Sequence, residues 1–81
     1  MEINDILNEL KIKTDRAEDN MEGADSNDFI FFGEQLSCFI ELSRELKMIL
    51  FSTNGRNLED FIPRLRGRVE AINEVINLIK K

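Results

Sequence analysis

Apolar residues in this chain recur at steps of three and four, and no stretch alternates with period two, so the pattern predicts helices throughout. Near the N-terminus Ile3, Leu7 and Leu10 share one face with Ile6 alongside, Asn4 or Asp5 can cap, and Glu9 and Lys13 form an i,i+4 pair. Past Ile12 the stripe thins to Thr14, Ala17 and Met21, so this first helix, near 4–20, is expected to hold its neighbour weakly. The second helix, near 28–52, carries Phe32, Leu36, Phe39, Leu46 and Leu50 on one line. Phe31, Cys38, Leu42 and Ile49 lie on another, about 100° around the axis. Together they sweep roughly 200°, wider than the stripe of an ordinary surface helix, so this helix needs cover on two sides. The third helix, near 57–80, has the cleanest period. Leu58, Ile62, Leu65, Val69, Ile72, Ile76 and Ile79 follow an unbroken 4-3 spacing, the seam of a coiled-coil-like packing.

Turn chemistry separates the three. Gly23 and the Asp25-Ser26-Asn27-Asp28 run mark a connection at about 22–27, and Thr53 to Asn57, with Asn54-Gly55, marks a turn at 53–57. Asn57 is the expected N-cap of the third helix, and Pro63 calls for a kink or a short separate turn at its start. The fold expected is all-α: a single small domain over 1–81, three helices, built on an antiparallel hairpin of the second and third. Its core should hold Leu36, Phe39, Leu42, Leu46, Ile49, Leu65, Val69, Ile72 and Ile76. In outline the stretch from Leu36 to Ile79, with its Asn54-Gly55 turn, resembles the small helical co-chaperones of type III secretion needle subunits. That resemblance implies an adaptor or chaperone role, on features generic to helical hairpins.

Composition removes most chemistry. The chain has 81 residues, no His, Trp or Tyr, and one Cys. Disulfide frameworks, His/Cys metal sites and His-based or Cys–His catalysis are therefore excluded, and no catalytic residue, metal ligand set or cofactor is expected. The acids between Asp15 and Asp28 do not form a calcium loop, because starting at Asp19 the third and fifth ligand positions are Met21 and Gly23. The longest apolar runs, Phe29 to Phe32 and Met48 to Phe51, are far short of the ~20 residues a membrane span requires. With no secretory signal and a lone Cys38, the expected location is the cytoplasm.

Charge is divided along the chain. Residues 1–54 carry 12 acids and 5 bases, and residues 55–81 carry 4 acids and 6 bases, for a net charge of −5 overall. Arg56, Arg64, Arg66 and Arg68 cluster around the start of the third helix. Arg64 and Arg68, four apart, can grip a partner carboxylate or a phosphate, or else pair with the acidic first half of the chain. Whole-chain charge opposes nucleic acid, which stands as the alternative. The reading reached is a non-enzymatic protein–protein interaction module: an adaptor, a chaperone-like subunit or a phage-type inhibitor of host machinery. Its expected contact residues are Phe31, Cys38, Leu42, Ile49, Arg64 and Arg68. The expected partner is another protein, in a homodimer or a hetero-complex, because the second helix offers more apolar surface than two small neighbours can cover.

Overall fold

The computed structural model describes residues 3–52 and 58–81. They form three α-helices, α1 (Ile3–Met21), α2 (Ser26–Leu50) and α3 (Phe61–Lys80), with a 3-10 turn at Leu58–Asp60 and no strand among the described residues. The all-helical expectation holds. The turn expected at 53–57, with Arg56 and the Asn57 cap, lies outside the described residues.

The hairpin is formed by α1 and α2, not by α2 and α3. Local chemistry explains why this connection closes. Four residues separate the helices, two fewer than the sequence suggested, because Asp25 caps α2 earlier than expected, its Oδ1 accepting from the Asp28 N–H at 2.9 Å. Gly23 has φ +78°, the left-handed conformation that reverses the chain after α1, and the Ala24 N–H donates to the Met21 carbonyl at 3.3 Å. The helices then run antiparallel. Met21 lies over Gly33 at the closed end, while Leu7 and Thr14 of α1 line one groove with Ile40 and Lys47 of α2 further out.

Packing follows a seam on each helix. On α1 the residues withdrawn from solvent are Ile3, Ile6, Leu7, Leu10, Thr14, Ala17 and Met21. Past Ile12 the thinner stripe still faces inward: Ala17, only 3% exposed, is the most buried residue described. Small side chains in the seam let two helices approach rather than separate them, and the Thr14 hydroxyl donates to the Leu10 carbonyl at 2.7 Å, so it enters without an unmet polar group. On α2 the large apolar residues withdrawn from solvent are Phe32, Leu36, Phe39, Leu42, Leu46 and Ile49, with Leu46 4% exposed.

The third helix stands apart. Its tertiary contacts are chiefly with the 3-10 turn that precedes it. That turn is the separate element Pro63 called for; Pro63 itself falls in the first turn of α3, where its missing N–H costs nothing. Phe61 is buried at the foot of α3 and Leu65 is half-buried, but Val69, Ile72 and Ile76 are exposed, contrary to their expected place in the core. The radius of gyration is 15.0 Å, against the ~12 Å of a compact chain this long. The part of α3 beyond Leu65, exposed throughout, accounts for the difference.

Candidate interaction surface

The most extensive feature outside the hairpin core is the apolar face of α3. Ile62, Val69, Ile72, Ile76 and Ile79 are all exposed along the 4-3 line, rising to 77% at Ile79, and Val75 flanks them. Apolar surface in such a line is what a partner covers, since scattered exposed aliphatics are ordinary but contiguous ones are not. Bases border the line on both sides: Arg66 and Lys80 on one flank, Arg68 on the other. The acids Glu70 and Glu74 fall roughly 130–170° from its centre at 100° per residue.

A bidentate charge pair joins α3 to α2. The Arg68 guanidinium donates to both carboxylate oxygens of Glu45, at 3.1 Å in the longer bond. The hydrogen bonds from Arg68 hold the Glu45 carboxyl below its usual range; the Arg68 and Arg64 charges add to this, and partial burial opposes it. Glu45 in turn raises the pKa of Arg68, through its hydrogen bonds first and its charge second, with Glu41 and Cys38 close enough to contribute. Arg64 takes a different role, its guanidinium 5.8 Å from the Phe61 ring centroid.

The residues expected to bind a partner are thus dispersed. Phe31 is exposed and meets Phe32 edge-on, centroids 5.3 Å apart. Cys38 is exposed on the flank of α2 that Arg68 approaches. Leu42 and Ile49 are half-buried, on the same line of α2 as Cys38. Arg68 is engaged within the chain and Arg64 lies over Phe61, so α3 and the flank of α2 meet at Arg68, Glu45 and Cys38 while the larger apolar face lies further along α3. Sequence reasoning assigned that face to the core because its period is so regular. The signal for its exposure was the basic border, which has no acidic counterpart on the same face.

A shallow groove of about 490 Å³ runs between α1 and α2, lined by Leu7, Thr14 and Ile40 and bordered by Lys11, Arg44 and Lys47. Among the described residues no cluster of three or more acids or thiols could hold a metal ion, and no helix is long and apolar enough to cross a membrane. Within the stretch that resembled the needle co-chaperones, Leu36 to Ile79, α2 and α3 do not pack as a hairpin, and the Asn54-Gly55 turn lies outside the described residues. No family model matches the chain, and no curated protein and no solved structure matches it.

Proposed function

We propose that this chain is a non-enzymatic protein–protein interaction module, of the adaptor, chaperone-subunit or inhibitor kind, whose contact surface is the apolar face of α3. The observation that carries this is the continuous exposure of Val69, Ile72, Ile76 and Ile79 on a helix whose foot is anchored by Phe61 and by the Arg68–Glu45 pair. Such a helix is held in place and presents its face outward, the geometry by which amphipathic helices recognise partners. Each of these side chains is worth about 1.5–3 kcal/mol when fully buried, so covering the face supplies enough free energy for association.

The test is affinity capture with the full chain from its native host, run beside the Val69→Ser/Ile76→Ser double variant. Proteins retained by the native chain and lost by the variant are the expected result. The same set retained by both would remove α3 from the contact. Binding to DNA or RNA in a mobility-shift assay, salt-sensitive and lost on Arg64→Ala with Arg66→Ala, would favour the nucleic-acid reading instead.

A further inference from the structure

We infer that the groove between α1 and α2 seats an acidic amphipathic helix of a partner protein. This is a second docking surface, independent of the α3 face. Ile40 and Lys47 lie roughly 140–160° around the α2 axis from Glu45, where Arg68 of α3 attaches.

Shape supplies the first argument. Leu7 and Thr14 on one wall, and Ile40 and Lys47 on the other, each span two helical turns, about 10 Å of rise. The furrow between two antiparallel helices is where a further helix of a bundle sits, and among the described residues none of α3 lines it. Its floor is aliphatic and only partly covered: Leu7 is half-buried and Ile40 is 43% exposed. Sites for small molecules enclose most of their ligand, whereas a shallow furrow of this length suits a helix laid along it.

Charge names the occupant. Residues 1–54 carry 12 acids against 5 bases, yet three of those bases, Lys11, Arg44 and Lys47, line this groove, and none of the described lining residues is an acid. The three make no ion pair among the described residues. Arg44 and Lys47, three apart, are like charges on adjoining turns, an unfavourable arrangement that a carboxylate between them relieves. The neighbouring acids do not offset them. Asp15 and Glu18 lie a turn beyond Lys11 and Thr14, towards the closed end of the hairpin, and neither lines the groove. Glu41, a turn before Arg44, is close enough to act on Arg68 on the far side of α2. With Lys11 on one wall and Arg44 and Lys47 on the other, the complement is a helix with one apolar stripe and acids on both flanks.

The probe is a fluorescein-labelled helical peptide, leucines at 4-3 spacing and glutamates on both flanks, titrated with the full chain and read by anisotropy. Binding is expected, weakening as salt is raised. Arg44→Glu with Lys47→Glu should weaken it at least about tenfold, through loss of two charge-assisted contacts. The same double variant should bind a peptide with lysine in place of glutamate better than the native chain does, which shows that its groove is still formed. Val69→Ser with Ile76→Ser should leave the affinity unchanged, so this inference and the contact role of α3 stand or fall separately. No binding of the acidic peptide at millimolar concentration overturns the inference, as does equal binding by the charge-reversed variant. Loss of binding in the α3 variant would move the site to α3 and overturn it too. Dodecanoate bound in the groove where the peptide is not would assign it to a small anion and overturn the helix.

Discussion

α1 and α3 are nearly equal in length, 19 and 20 residues, and each carries an unbroken 4-3 line. The line on α1 includes a threonine and an alanine, yet it is the one withdrawn from solvent; the line on α3 is all branched aliphatics and lies open from Val69 onward. Apolar richness therefore does not decide which helix joins the core of this chain. The connection does. Four residues with a left-handed glycine and an aspartate cap return α2 onto α1 at little entropic cost, and a modest seam is then enough.

The contrast is sharpest at Leu46. Leu46→Ala is expected to cost about 2–5 kcal/mol, because it empties the most enclosed large aliphatic of the α1–α2 seam. In so small a domain that removes most of the cooperative melting seen by circular dichroism. Val69→Ala on the open face, measured under dilute conditions, should change stability by no more than about 0.5 kcal/mol. Equal losses at the two sites would mean that α3 is packed as tightly as α1.

Ala17 tests whether the hairpin needs its small residue. Ala17→Leu should destabilise by about 1–3 kcal/mol through overpacking, although it makes the stripe more hydrophobic. A gain in denaturation midpoint would show that the seam has room and that close approach is not its basis.

Gly67 probes the other side of the comparison. A Cβ added there meets nothing within 4 Å, and the position lies opposite the apolar face. Gly67→Ala should stiffen α3 by about 0.5–1 kcal/mol of helix propensity, read as slower amide exchange in α3 with α1 and α2 unchanged.

The smallest effect belongs to the Arg68–Glu45 tether, whose exposure to solvent limits its contribution. Glu45 is held below its usual range, so its contribution is complete above about pH 4.3, the ordinary glutamate value, and is lost as the pH falls through the lower folded value. Acidification should loosen the first turns of α3, seen in their amide relaxation, before the hairpin melts. Glu45→Gln should remove that acid step, and its persistence in the variant would assign it to another carboxylate.

The helices themselves were legible in the residues, since period, Gly23, the Asp/Ser/Asn cluster and Pro63 act within a few positions of one another. So was the pairing of an α3 arginine with the acidic half, because only the charge division was needed to anticipate it. The α2 line through Phe32, Leu36, Phe39 and Leu46 was also identified as a packing face, but its partner was not. Periodicity says that a face is apolar, whereas burial depends on which other face can reach it. α1 and α3 both offered a compatible line, and nothing in either line ranks the two. Tertiary structure made that choice: the short capped connection brought α1 onto α2 and left the most regular seam in the chain on the outside.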